Sequence, residues 1–141
     1  MFLHALATAV PPAAYTQAQC WELAQRSPVR TRLHKRSMLI LQTILRSEHG
    51  IAKRHFAMPD LENVYDLSPD ELNLAFRREA PLLAGRALRA ALDKAGVRPD
   101  QLDALLVCTC TGYLCPGVTS YVAEQLGLRP NAFLQDLVGL G

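Results

Sequence analysis

Three of the four cysteines stand in one short stretch, Cys108-Thr109-Cys110-Thr111-Gly112-Tyr113-Leu114-Cys115, and the fourth is Cys20. Clustered thiols can ligate a metal, pair as disulfides or pack as small apolar groups. Zinc sites usually draw on two separated ligand clusters. There is no second cluster here, so no metal is expected. A disulfide framework spreads its cysteines along a small, loop-rich chain, which does not describe 141 residues of which half are hydrophobic. That leaves reduced thiols in the interior, since free cysteine is among the most buried residue types.

The second group with chemical potential is cationic. From Arg26 to Arg54 there are eight Lys or Arg and one acid, Glu48, while the rest of the chain holds seven basic and twelve acidic residues. Such a segment suits an anionic partner, either nucleic acid or a phosphate-bearing small molecule, and equally a solvated helix face. Nucleic acid is the poorer match, because aromatic residues are scarce there and no helix-turn-helix or glycine-rich motif accompanies it. A phosphorylated cofactor fits better. His4 falls in an apolar run and reads as an interior histidine. His34 and His55 read as exposed members of the basic segment, and Trp21 as packing.

Periodicity shows which elements must hold these groups. Residues 2–9 read as a buried first strand ahead of Pro11-Pro12. That start lacks the basic leader of a signal peptide, and no apolar run approaches the roughly 20 residues of a membrane helix. A cytoplasmic chain without a membrane span is expected. Thr16 reads as the N-cap of a short helix carrying Trp21 and Leu23, ended by Pro28. A second helix is predicted over 33–48, with Leu33, Met38, Leu41, Ile44 and Leu45 at helical spacing and Gly50 as its stop. Residues 51–58 read as extended and 59–67 as loop.

Ser68-Pro69-Asp70-Glu71 combines a capping serine, a first-turn proline and a glutamate placed for a capping box. The helix it starts carries Leu72, Phe76, Leu83, Ala87, Ala91 and Ala95 on one face, with small residues at Ala84, Ala87, Ala91 and Ala95. Gly96 stops it, and Pro81 inside it predicts a kink or a break. Residues 104–109 read as a strand buried on both faces. A helix over 118–126 closed by Gly127 and a strand over 133–138 complete a βαβ unit with the usual right-handed crossover. The fold class is α/β.

A family resemblance rests on the order of motifs from Gly96 to Gly141. Gly96-Val97-Arg98-Pro99-Asp100-Gln101-Leu102-Asp103 leads into Leu106-Val107-Cys108-Thr109-Cys110-Thr111-Gly112-Tyr113. Pro116-Gly117, Leu126-Gly127-Leu128-Arg129-Pro130 and Leu137-Val138-Gly139-Leu140-Gly141 follow. The series resembles bacterial type III polyketide synthases, relatives of plant chalcone synthase. Gly50-Ile51 with Lys53-Arg54 also resembles the related ketoacyl synthases, so it speaks for the superfamily. The resemblance implies a thiolase-like layered αβαβα fold, with residues 1–141 as the N-terminal half of one ketosynthase domain.

In that family the next residue after Gly141 is the cysteine nucleophile. A thiolate at the end of a buried strand, entering a helix, is stabilised by the free N–H groups of the helix start and can attack an acyl thioester. The implied activity is an acyltransferase that condenses an acyl-CoA starter with malonyl-CoA by decarboxylative Claisen steps. Its products would be pyrones, resorcinols or phloroglucinols. The family's histidine and asparagine, which assist decarboxylation, fall outside these residues, so no catalytic residue is expected within 1–141.

What the resemblance assigns here is a pocket wall and a coenzyme A grip. Cys110 and Thr111 match positions lining the starter cavity, and Cys115 matches one that reaches across a homodimer interface. Plant relatives usually carry threonine and methionine where Cys110 and Cys115 stand, so smaller side chains imply a different, longer acyl cavity. Arg46 and His49 match the coenzyme A-binding helix end only with a one-residue gap and a histidine in place of lysine. Lys53 and Arg54 serve either that grip or the structure. Coenzyme A thioesters enter as substrates, and no permanently bound cofactor is implied. The competing readings are a non-catalytic fragment that pairs with another chain, a ketoacyl synthase III-like acyltransferase and a basic nucleic-acid-binding module.

Overall fold

Helix starts in this chain follow its caps. Thr16 is extended (φ −69°, ψ 161°), its Oγ1 accepts from the Gln19 N–H at 3.2 Å, and the Gln19 side chain accepts from the Thr16 N–H at 2.9 Å. That reciprocal box satisfies two otherwise orphaned donors and starts helix α1, Gln17–Arg26, just after strand β1, Ala13–Thr16. The structure, a computed structural model, describes residues 2–47, 50–58, 61, 64 and 66–139. It divides into two compact units, residues 10–69 and residues 1–9 with 70–141.

In the 10–69 unit, α1 is followed by a single turn, α2 (Val29–Arg32), then α3 (Lys35–Leu45) and strand β2 (Lys53–Phe56). The helix predicted over 33–48 is therefore shorter. Leu33 and His34 are both extended (ψ 143° and 152°), which separates α3 from the turn before it, and α3 ends three residues early. Gly50, expected as its stop, lies beyond the helix with φ +107°. Strand β1 pairs antiparallel with β2, Ala13 opposite Phe56 and Thr16 opposite Lys53. Tyr15 meets Phe56 edge to face with ring centroids 5.9 Å apart. Cys20, Ala24, Leu45 and Leu61 form the buried centre. His34 and His55 are exposed as expected, and His55 Nδ1 lies 2.9 Å from the Pro11 carbonyl.

The other unit is built on a 27-residue helix, α4 (Pro69–Ala95), which continues through Pro81 without a break. Proline removes one backbone donor and costs about 3 kcal/mol in a helix interior. Its burial here with Gly85 and Leu92 offsets part of that cost. Gly96 (φ +65°) closes the helix as expected, and the Val97 N–H reaches back to the Leu92 carbonyl. A short turn (Pro99–Gln101) leads to β3 (Ala104–Thr109), α5 (Val118–Leu126) and β4 (Phe133–Val138), at the predicted bounds. The two strands run parallel, Ala104 opposite Phe133 and Thr109 opposite Val138. Val118, Val122 and Leu126 of α5 are the core, packed by Phe76, Ala80, Ala84 and Leu88 of α4 and by Leu105 and Val107 of β3. The contact face of α4 is thus rotated from the expected one. Phe76 and Ala84 belong to it, whereas Leu72 is 45% exposed.

Three expectations are overturned in this unit. Residues 2–9 pair with no strand among the described residues, and Phe2, Leu3 and His4 are exposed. An apolar sequence supplies strand propensity, but a strand exists only beside a hydrogen-bonding neighbour. Here Lys94 Nζ donates to the Leu6 carbonyl instead. Strand β3 alternates between exposed and half-buried residues along its length, because α5 covers only one of its faces. As a result Cys108 is exposed; Cys110 and Cys115, in the loop after β3, are exposed as well, and of the four cysteines Cys20 alone is buried. No group of metal-ligating side chains occurs among the described residues, and no helix among them is long and apolar enough to cross a membrane.

Candidate functional site

Cys110, Thr111 and Cys115 share the loop that joins β3 to α5, and two glycines fix its shape. A Cβ on Gly112 would stand 2.6 Å from the Phe76 ring, and one on Gly117 would stand 2.1 Å from Oδ2 of Asp136. A side chain at either position would force its neighbour to shift. The loop is therefore held against α4 at one end and against β4 at the other, with a cis bond between Cys115 and Pro116. Near its start the Thr111 N–H donates to Thr109 Oγ1 at 3.3 Å. All three expected pocket residues are exposed, so they present their side chains to whatever occupies that surface.

Asp136 is the residue that sequence reading missed. Gly117 caps α5 without a side chain, and Asp136 reaches from β4 to do that work. Its carboxylate accepts from Thr119 Oγ1 at 2.5 Å and from the Thr119 N–H at 3.2 Å. Thr119 is 1% exposed. A carboxylate at a helix start is stabilised by the free N–H groups and the macrodipole. The available signal was a glycine N-cap with no polar side chain of its own, which demands a capping group from elsewhere.

The second set of predicted residues lies in the 10–69 unit. Arg46 is the exposed C-cap residue of α3, and Lys53 is the exposed first residue of β2. His49 lies outside the described residues, as does Gly141. Arg54 is half-buried, and its Nε donates to Gln17 Oε1 at 3.0 Å. Gln17 in turn donates from Nε2 to the Ile44 carbonyl at 3.1 Å, tying α1 to the end of α3. Arg54 also borders a cavity of about 440 Å³ with Cys20, Leu23, Leu41, Phe56 and Leu61. Burial raises the Cys20 thiol above its ordinary pKa, and the Arg54 charge partly opposes that. The pocket residues and the basic residues thus fall in different units.

No family model matches the chain. A 1,3,6,8-tetrahydroxynaphthalene synthase of Streptomyces peucetius is 32% identical over 139 residues, 97% of this chain and 35% of that protein. A structure of the synthase of that name from Streptomyces coelicolor, described as a bacterial type III polyketide synthase, superposes with a TM-score of 0.73 at 23% identity, covering 95% of this chain and 38% of that one. The chain is homologous to the N-terminal part of type III polyketide synthases. Its fold is their thiolase-like one, a mixed α/β arrangement. CsyB complexed with CoA-SH superposes with a TM-score of 0.79 at 22% identity, covering 96% of this chain and 36% of that one. A β-ketoacyl-[acyl-carrier-protein] synthase III of Cereibacter sphaeroides is 36% identical over 85 residues, 60% of this chain and 21% of that protein. The chain spans about 35% of the length of the first curated type III relatives it matches.

Proposed function

We propose that this chain is the N-terminal part of a ketosynthase domain whose whole protein condenses an acyl-CoA starter with malonyl-CoA and cyclises the product. One observation carries the reading: 32% identity to a tetrahydroxynaphthalene synthase along 97% of the chain, without a local motif standing in for the whole. The ketoacyl synthase III match is confined to 60% of the chain, which makes it the weaker of the two. In this reading the nucleophilic thiolate follows Gly141 and takes the acyl group from coenzyme A. Cys110 and Thr111 line the acyl cavity, and Cys115 reaches toward the partner's site in a homodimer. Arg46, His49, Lys53 and Arg54 supply positive charge for coenzyme A phosphates. The complex of a structural neighbour with CoA-SH supports this substrate class.

Two measurements test it. An intact mass of about 45 kDa for the purified protein, as 15.6 kDa over 35% of the relatives' length implies, supports a whole enzyme. A mass of 15.6 kDa supports the fragment reading instead. Radiolabelled malonyl-CoA with a panel of acyl-CoAs should then yield labelled pyrone, resorcinol or phloroglucinol products. Use of long acyl starters is expected from the small Cys110 and Cys115 side chains, and acceptance of compact aromatic starters only would contradict that cavity.

A further inference from the structure

We propose that the groove between α4 and α5 is a second anion site, separate from any acyl-CoA site, and takes a small phosphate monoester with a hydroxylated tail. A cavity of about 310 Å³ lies there, lined by Gly85, Arg86, Arg89 and Asp93 of α4 and by Gln125 of α5. That volume stands at the lower end of small-ligand sites. Residues 85–126 belong to one unit of the chain and the basic segment 26–54 to the other, so the coenzyme A reading of Arg46 gives these arginines no role.

Arg86 and Arg89 are three residues apart, which puts them side by side on one face of α4. Both are exposed, and among the described residues neither guanidinium makes an ion pair or a hydrogen bond. One guanidinium fork satisfies a carboxylate in a bidentate pair. A phosphate monoester has three terminal oxygens and close to two negative charges at neutral pH, so it matches two forks. Gln125 adds a neutral donor to the same cavity. Its amide lies close against α4 where Gly85 leaves room, since a Cβ there would stand 2.5 Å from Gln125 Oε1. Asp93 has the opposite preference. Its carboxylate, one turn beyond Arg89, repels phosphate and accepts from hydroxyl groups. The phosphate therefore lies toward the two arginines and the hydroxylated tail toward Asp93. Ala90 and the largely buried Leu126 complete the lining, too little apolar wall to hold an acyl chain.

Glycerol 3-phosphate is the probe, with inorganic phosphate and glycerol as its two halves. Isothermal titration of the purified whole protein should give glycerol 3-phosphate a Kd about threefold or more below that of inorganic phosphate, and glycerol alone no measurable binding. Arg86→Gln and Arg89→Gln, both at exposed positions, should each raise the glycerol 3-phosphate Kd about tenfold, as the loss of one charge-assisted pair implies. Asp93→Ala should bring the two Kd values together. Arg46→Ala, in the basic segment, should change neither, and far-UV circular dichroism checks that each variant folds. No binding of either anion, or an unchanged Kd in both arginine variants, would overturn the site. Loss of binding in Arg46→Ala alone would do so too, by placing the phosphate in the other unit. A preference for glycerol 3-phosphate that is absent from the parent, or that survives Asp93→Ala, would overturn the placement of the tail. The acyl-CoA reading is tested separately by malonyl-CoA condensation and does not depend on these outcomes.

Discussion

Cys20 and the three cysteines around the β3–α5 loop have the same chemistry and opposite surroundings. Cys108, Cys110 and Cys115 are exposed, whereas Cys20 is 7% exposed beneath α3. In the native 141-residue chain, a chromogenic disulfide reagent should therefore titrate three thiols quickly and the fourth only after unfolding. Rapid reaction of all four would mean that the 10–69 unit opens readily. The buried thiol also gives that unit a pH dependence. Its folded pKa is raised, so the folded state holds its proton to higher pH than the unfolded state does. The associated stability is complete below the ordinary thiol value and is lost as pH rises through the folded one. Urea midpoints measured from pH 7 upward should fall on the alkaline side, and Cys20→Ala should flatten that fall.

Elements were legible where their end signals are local. The Thr16 capping box, Gly96, Gly127 and the apolar runs 104–109 and 133–138 act within a few residues, and the elements they bound match the expected ones. What failed depended on partners distant in sequence. Residues 2–9 have strand composition without a neighbour to pair with among the described residues, and of the kink or break expected at Pro81 the break does not occur. The exposed thiol of Cys108 follows from a face of β3 that α5 does not cover, and no sequence window shows that. The Asp136 cap was illegible for the same reason, since it lies 17 residues from Thr119. It can be tested directly. Thr119→Val keeps the shape but removes the hydroxyl donor, and should cost about 1.5–3 kcal/mol in urea denaturation, the range for a hydrogen bond to a charged group. Gly117→Ala should cost about 1–3 kcal/mol by crowding the same carboxylate. A loss below about 0.5 kcal/mol in both would show that the carboxylate is not holding the loop.

At the scale of the whole molecule, each unit leaves apolar surface uncovered. Leu106 and Phe133 of the β3–β4 sheet are 56% and 57% exposed, and Leu39 and Ile40 of α3 are 67% and 53% exposed. Surfaces of this kind mark contacts with other polypeptide. The 141-residue chain prepared by itself should bind a hydrophobic dye and associate with itself at micromolar concentration, as sedimentation velocity would show. A monodisperse, dye-negative monomer would mean that these faces are covered in a way the described residues do not reveal.

The loop between β3 and α5 is closely packed at both of its glycines, Gly112 by Phe76 and Gly117 by Asp136. The side chains at 110, 111 and 115, by contrast, are exposed. Those three positions form an exchangeable cassette on a fixed frame. Combinatorial libraries confined to them should leave the melting temperature within a few degrees of the parent, as surface substitutions away from structural features do. If these positions line the acyl cavity as proposed, variation there alters the cavity while Phe76, Gly112, Gly117, Thr119 and Asp136 keep the packing around the loop.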